Sequence, residues 1–275
     1  MKYGITAGAG VDFENPKEGM EKLSKLGYKY LDGPYFVTKD YGYLKYSTSE
    51  GDVKLKALAA AAKEYDIEFS QCHGPWECPP HHTTDDERAK LLEDTKKSLY
   101  GCAVLGAPAI ALHPVMPFGV ETVDRFDEFN EINLNFFSKV AEMAKQEGVT
   151  ACLENMPMPK LALGTPQQIL NFVKIINNDN FKVCLDTGHS LVCGIQPGEA
   201  VKIIGKDYLM ITHIHDNDGK MDYHYNPGDE RGVADWNLFN KALHEINFEG
   251  VLSLETAPQP GDEEKLANVI RKIAE

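Results

Sequence analysis

Lys182-Val183-Cys184-Leu185-Asp186-Thr187-Gly188-His189 is the stretch on which the fold turns. Over 182–186 the side chains alternate with a period of two: Val183 and Leu185 share one face, Cys184 and Asp186 the other. The bulky apolar pair suits packing against helices. The small thiol beneath a terminal carboxylate suits the inside of a closed sheet.

Working outward, seven further runs have the same strand character: 2–6, 28–31, 67–73, 109–113, 150–154, 210–215 and 251–255. Between them lie amphipathic helical patterns, among them 53–65, 86–104, 123–146 and 166–176. Strictly alternating strands and helices call for a parallel sheet with crossover helices. Helix starts agree: Thr84 with Glu87 fits a capping box, Thr165-Pro166 with Gln168 adds Pro at N1, and Asp235 caps a helix running through Leu243.

Six successive strands end on a residue able to bind metal: His73, His113, Glu154, Asp186, His215 and Glu255. The intervals of 40, 41, 32, 29 and 40 residues each fit one strand, one helix and their loops. All six groups therefore return to one level. In a closed (β/α)₈ TIM barrel that level is the carboxyl-terminal rim, where active sites of this fold are assembled; an open sheet would string them along a line. Alternation supports inward-facing groups: Ser253 accompanies Glu255, Ala109 and Ala111 accompany His113, and Cys152 accompanies Glu154. The expectation is a single-domain, eight-stranded parallel TIM barrel over 1–275.

Further donors reach the same mouth. His189 lies in the loop past the sixth strand, and Asp222 and His224 lie in the loop past the seventh. His213, two residues before His215, reads as a buried partner beneath the rim and not as a ligand. Carboxylate oxygen with imidazole nitrogen suits Mn, Co, Mg or Zn in open, water-retaining sites. Nine such groups at one rim would repel one another and pay for desolvation unless a cation joined them.

Composition narrows the field. The net charge of −14, from 42 acidic and 28 basic residues, disfavours nucleic acid and anionic membranes as partners. No run approaches eighteen apolar residues, and the start, one Lys followed by a short Gly-rich stretch, lacks a leader pattern, so a cytoplasmic protein is expected. Six cysteines without a C-x-x-C pair read as reduced core thiols. Gly8 and Gly10 do not complete a dinucleotide fingerprint, and P-loop and G-x-S-x-G motifs are absent. His81-His82 and His244 read as solvated side chains, Asp85 to Glu87 as a helix N-terminus, and Asp216-Asn217-Asp218-Gly219 fails as a calcium loop.

At these residues the sequence resembles the xylose isomerase-like TIM-barrel superfamily, which includes sugar isomerases and epimerases and also endonuclease IV. The resemblance spans nearly the whole chain. It is carried in order by His-Gly-Pro-Trp from 73, Leu-His-Pro from 112, Leu-Glu-Asn from 153, Leu-Asp-Thr-Gly-His from 185, His-Ile-His-Asp-Asn-Asp-Gly from 213, Asp-Tyr-His from 222, Pro-Gly-Asp-Glu-Arg-Gly-Val-Ala-Asp-Trp from 227 and Leu-Glu-Thr from 254. It implies that Glu154, Asp186, His215 and Glu255 form the shared metal site, that Glu154 and Glu255 serve as acid and base, and that His189 faces substrate. It further implies that His73, His113, Asp222 and His224 match added ligands of a trinuclear zinc site, so up to three ions if the chain is endonuclease IV-like.

The expected activity is a metal-dependent isomerase or epimerase acting on a small ketose, aldose or polyol-derived hydroxy ketone by proton transfer through a metal-stabilised enediolate, with a metal-assisted hydride shift on the same ligands left open. Trp76, His113, His189 and Arg231 are the expected substrate contacts, Trp76 as a platform for a sugar face. Lys160 and Arg231 are the only cations near the rim, which favours an unphosphorylated carbohydrate. The alternative is a zinc-dependent phosphodiester hydrolase acting on abasic-site DNA. Against it stand Trp76 to Pro80, with no Lys or Arg before Arg88, and a short 216–222 loop whose one cation is Lys220. A binding barrel without catalysis would leave two glutamates beside the metal with no task. A homo-oligomer is left open.

Overall fold

The computed structural model describes residues 1–36 and 44–275. Eight parallel strands close into a barrel in chain order: β1 (Lys2–Thr6), β2 (Tyr30–Tyr35), β3 (Glu68–His73), β4 (Ala109–Leu112), β5 (Thr150–Glu154), β6 (Phe181–Asp186), β7 (Leu209–Ile214) and β8 (Val251–Leu254). The pairing of β8 with β1, for example Leu254 beside Ile5, completes the ring. Around it run α1 (Pro16–Lys25), α2 (Val53–Glu64), α3 (Asp85–Leu105), α4 (Phe126–Glu147), α5 (Pro166–Ile176), α6 (Thr187–Val192), α7 (Pro197–Ile204), α8 (Trp236–Glu245) and α9 (Glu263–Ala274). This is the TIM barrel expected from the strand ends.

Capping follows the sequence reading. Thr84 with Glu87 and Thr165 with Gln168 form reciprocal capping boxes, and the Asp235 carboxylate accepts the Leu238 amide at 2.8 Å. Each cap satisfies amides that a helix start leaves unbonded. The α3 and α4 helices stop at Gly106 and Gly148, whose φ values of 79° and 71° suit glycine.

The core is divided as the alternation requires. Ile110, Leu112, Leu153, Leu185, Leu252 and Leu254 belong to the large apolar layer between barrel and helices. Ala109, Ala111, Cys152, Cys184 and Ile211 make a separate small cluster inside the barrel. The small interior matters for function, because on β4, β5 and β6 it leaves the volume above free for imidazoles and carboxylates.

Two local features depart from the expectation. The second strand runs Tyr30–Tyr35 and not 28–31, because Asp32-Gly33-Pro34, whose composition reads as a turn, instead forms an irregular stretch with register shifts against β3. That irregularity resets the alternation, so that Asp32 and Tyr35, three positions apart, both meet inward-facing groups. Residues 187–192, expected as a loop, form the short helix α6, started by the Asp186 side chain accepting the His189 amide at 2.6 Å. No helix among the described residues is long and apolar enough to cross a membrane.

If the interior layer must be small, Ala111→Leu will overpack it and cost about 1–3 kcal/mol. The shift of the urea midpoint measures this; an unchanged midpoint would show that the layer has slack.

Candidate metal centre and active site

The barrel's carboxyl-terminal mouth gathers the residues singled out by the strand-end pattern. His73 ends β3, Glu154 ends β5 and Asp186 ends β6, while His113, His215 and Glu255 each lie one residue past their strands. Among the groups whose donor atoms lie mutually within 4.8 Å are His73, His113 and Glu154; Glu154, Asp186, His213 and Glu255; and His189, His215, Asp222 and His224; His213, not His215, completes the group around the two glutamates. The nine expected donors lie at one mouth, His215 joining the Glu154, Asp186 and Glu255 group through its 2.9 Å contact with Asp186. His215, Asp186 and Glu154 are buried, and Glu255 is 15 % exposed.

The imidazoles are oriented in one way. Nδ1 of His73 donates to the Gly74 carbonyl at 2.9 Å, Nδ1 of His189 to the Asn155 carbonyl at 2.7 Å, Nδ1 of His224 to the Glu255 carbonyl at 3.1 Å and Nδ1 of His215 to the Asp216 carbonyl at 3.4 Å. A backbone carbonyl only accepts, so each ring carries its proton on Nδ1 and turns Nε2 inward. Those Nε2 atoms meet carboxylates: His215 meets Asp186 at 2.9 Å, His189 and His224 each meet Asp222 at 3.2 Å, and His73 meets Glu154 at 3.4 Å. Pinning one imidazole nitrogen to a carbonyl so that the other faces a metal is the arrangement that histidine ligands adopt. His213 differs from these four in that its Nδ1 faces the Glu154 and Glu255 carboxylates in place of a carbonyl, with Asp32 at Nε2.

Sequence-local devices hold this geometry. The Thr187 hydroxyl donates to the His215 carbonyl at 2.7 Å, and the Asn217 amide donates to the Gly188 carbonyl at 2.8 Å. At Gly188 a Cβ would sit 1.9 Å from the His215 ring, so only glycine lets that imidazole lie against α6. His215 and His224 stack at 3.8 Å with ring planes 6° apart. Asn155 spans β5 and β6, accepting the Asp186 amide at 2.9 Å and donating to the Asp186 carbonyl at 3.0 Å.

A cation fits the donor set. Glu154 Oε2 and Asp222 Oδ1 are buried without a hydrogen bond of good geometry, although His113 and His73 Nε2 lie 3.3 and 3.4 Å from Glu154 Oε2. Leaving a buried carboxylate oxygen unpaired is costly. A divalent ion ligated there removes the cost, and the mixed oxygen and nitrogen donors suit Mn, Co, Mg or Zn.

The electrostatics separate the two glutamates. Burial works to raise the Glu154 carboxyl, but the charges of His213 and His113 hold it well below the usual range. Burial raises Glu255, opposed by His213 and reinforced by the nearby Glu154 and Asp186 carboxylates. Against the lowering effect of burial, the Asp186 charge and the Asp222 contact raise His189 to about 10, and the Asp222 contact raises His224 to about 9.

Above the cluster opens a cavity of about 790 Å³. Its apolar wall includes Phe13, Trp76, Met116, Met156 and Met158, and no Lys or Arg lines it among the described residues. Trp76 is 44 % exposed, its ring 6.1 Å from that of His113. Arg231, expected at the substrate, instead makes a bidentate contact with Asp229 and packs 4.1 Å from the Tyr225 ring centroid, and it does not line the cavity. Lys160 pairs with Glu121. His81 is also buried, not solvated: its Nδ1 meets His82 Nδ1 at 2.5 Å, and burial lowers it to about 4.

Two site residues escaped the sequence reading. The Tyr35 hydroxyl lies 3.4 Å from Glu255 and 3.2 Å from the Thr6 hydroxyl, and Asp32 lies buried below His213. The available signal was Asp32-Gly33-Pro34 itself, an acidic residue in a segment whose position in the strand order required a strand.

Comparison with known proteins agrees with this architecture. The chain is 27% identical over 244 residues to a D-psicose 3-epimerase of Ruminiclostridium cellulolyticum, covering 86% of this chain and 76% of the relative. It is 28% identical over 275 residues to a probable endonuclease 4 of Mycoplasmopsis agalactiae, covering 92% of each. The crystal structure of a D-tagatose 3-epimerase-like protein superposes with a TM-score of 0.81 at 23% identity, covering 99% of this chain and 97% of that one. With the family model matching residues 20–273, the chain belongs to the xylose isomerase-like TIM barrel family.

Proposed function

We propose that this chain is a divalent-metal-dependent epimerase or isomerase of an unphosphorylated carbohydrate: a ketose, an aldose or a polyol-derived hydroxy ketone. The observation that carries the reading is the pairing of Glu154 and Glu255 within one donor group that also holds Asp186, their environments pushing the two carboxyls in opposite directions. Two carboxyls of differing basicity suit removal of a proton by one and its return by the other.

Glu154, Asp186, His215 and Glu255 are the residues that would hold the principal ion. A divalent cation there supplies Lewis acidity, making the C–H between two substrate oxygens more acidic. Glu154, whose carboxyl the neighbouring imidazoles lower, would accept the proton, and Glu255, whose carboxyl burial raises, would deliver one. Tyr35 restrains Glu255 through its hydroxyl contact. His189, held from Asn155, faces the substrate oxygens, and Trp76 offers its face to the sugar ring. Return to the opposite face gives epimerisation, and return to the neighbouring carbon gives isomerisation.

One observation favours a second reading. The His73–His113 and His189–His215–Asp222–His224 donors exceed what a single four- to six-coordinate ion uses. A multinuclear zinc site of that kind would serve phosphodiester hydrolysis. The relative named probable endonuclease 4 keeps this reading in view, whereas the net charge of −14 and a cavity without Lys or Arg among the described residues oppose DNA.

Incubating the Mn-loaded protein with a ketose panel in D₂O should place deuterium at a single carbon. Glu154→Gln and Glu255→Gln should each lower kcat by at least about a hundredfold, and full activity in either would reject the acid–base pair. Metal analysis is expected to give one tightly held ion per chain; three zincs with cleavage of abasic-site DNA would put the hydrolase first. With no lysine or arginine on the cavity wall among the described residues, a phosphorylated ketose should be turned over more slowly than the free sugar.

His189 and His224 keep their protons to higher pH in the folded metal-free chain than in the unfolded one. Their stabilisation is complete below about pH 6.5 and is lost as pH rises through about 9 to about 10. A cation competes for the same Nε2 atoms. Loading Mn at pH 7 should therefore release protons, and its affinity should climb with pH across that window; a pH indicator in weak buffer reads the release, and pH-independent binding would contradict it.

A further inference from the structure

We propose that Asp32 and His213 form a buried strut that sets the spacing and orientation of Glu154 and Glu255, with Asp32 as its anchor. His213 lies wholly inside the barrel, and so does Asp32. His213 Nδ1 stands 3.1 Å from Glu154 Oε1 and 3.2 Å from Glu255 Oε2, while Nε2 on the far edge of the ring stands 3.3 Å from Asp32 Oδ2. One imidazole edge thus touches both glutamates, and the other lies at ion-pair distance from a third carboxylate, without the geometry of a hydrogen bond.

This geometry is unlike that of the ligand histidines, whose Nδ1 is pinned to a carbonyl and whose Nε2 faces the mouth. Carboxylates only accept hydrogen bonds, so His213 separates two groups that would otherwise repel at close range. With their inner oxygens Oε1 and Oε2 drawn to the same nitrogen, the remaining oxygen of each glutamate is left for the ion and the substrate. Glu154 Oε2 makes no hydrogen bond of good geometry and meets the His73 and His113 Nε2 atoms at 3.4 and 3.3 Å.

The anchor is rigid. Asp32 Oδ2 accepts the Gln71 amide at 2.9 Å and lies 3.5 Å from the Ser253 hydroxyl, and the same Gln71 amide reaches the Thr212 carbonyl at 3.3 Å. Asp32 therefore ties β2 to β3, β7 and β8 directly beneath the cluster. A site built on strands and braced by a second layer of hydrogen bonds holds its reacting groups to a narrower range than one built on loops. Asp32 and His213 are positioning residues acting through the glutamates, and neither lines the mouth cavity.

The consequence for turnover rests on the epimerase reading, but the strut itself is tested by metal binding. Metal-free protein is titrated with Co²⁺, recording the dissociation constant and the visible absorption bands, for the parent chain, Asp32→Ala, His213→Ala and His213→Asn. The asparagine amide reaches the place of Nδ1 and can still donate to the glutamates, but cannot reach Asp32. Asp32→Ala and His213→Ala should weaken Co²⁺ about 10- to 100-fold and shift the bands, and His213→Asn should recover most of the loss relative to His213→Ala. On a substrate found by the deuterium screen, kcat should fall while KM holds.

Thermal melting of the metal-free variants separates these effects from misfolding; should Asp32→Ala not fold, the two His213 variants decide. Co²⁺ affinity within twofold of the parent and unchanged bands in a folded Asp32→Ala, or a His213→Asn no better than His213→Ala, would overturn the strut. If the parent turns over no carbohydrate yet the Co²⁺ results hold, the epimerase reading fails and the strut stands.

Discussion

The structure depends on a problem of charge. Glu154, Asp186 and Asp32 are buried at or beneath one end of a barrel, with Glu255 largely so. Carboxylates in such a place are held only by donors and positive charge. The chain answers with imidazoles from β3, β7, α6 and the loops after β4 and β7, and still leaves Glu154 Oε2 and Asp222 Oδ1 without a hydrogen bond of good geometry. A divalent cation would complete the balance. The fold makes room for it: alanine and cysteine fill the interior beneath His113, Glu154 and Asp186, where larger residues would push these groups toward solvent.

Much of this was legible in the sequence because a barrel returns each strand end to one level. The interval pattern alone identified His73, His113, Glu154, Asp186, His215 and Glu255, and the alternation placed Ala111, Cys152 and Cys184 beneath them. Where legibility failed, a local rule met a tertiary demand. Asp32-Gly33-Pro34 has the composition of a turn, yet closure of the ring required a strand there, and the resulting irregularity brought in both Asp32 and Tyr35. Arg231 shows the converse. It lies in a motif associated with the site, but Asp229, two residues before it, and Tyr225 hold it away from the mouth. Orientation was also beyond reach: that His213 faces carboxylates with both nitrogens, while His215 offers Nε2 to the cluster, depends on which carbonyls lie nearby in space.

The arrangement of barrel, donors and cavity links the chemistry to the family. A common rim can serve proton transfer or hydrolysis according to how many ions it holds and what the walls admit. Here the wall is apolar and aromatic, and the paired glutamates differ in their hold on a proton, which suits an uncharged polyhydroxylated substrate better than a nucleic acid backbone. Fold alone does not decide between such chemistries, and the site must.

The most direct measurement is anomalous diffraction from crystals soaked in Mn²⁺. The account predicts a peak about 2.0–2.3 Å from oxygen or nitrogen atoms of Glu154, Asp186, His215 and Glu255 together. No peak at the carboxyl-terminal mouth, or one that leaves these four residues uncoordinated, would contradict it.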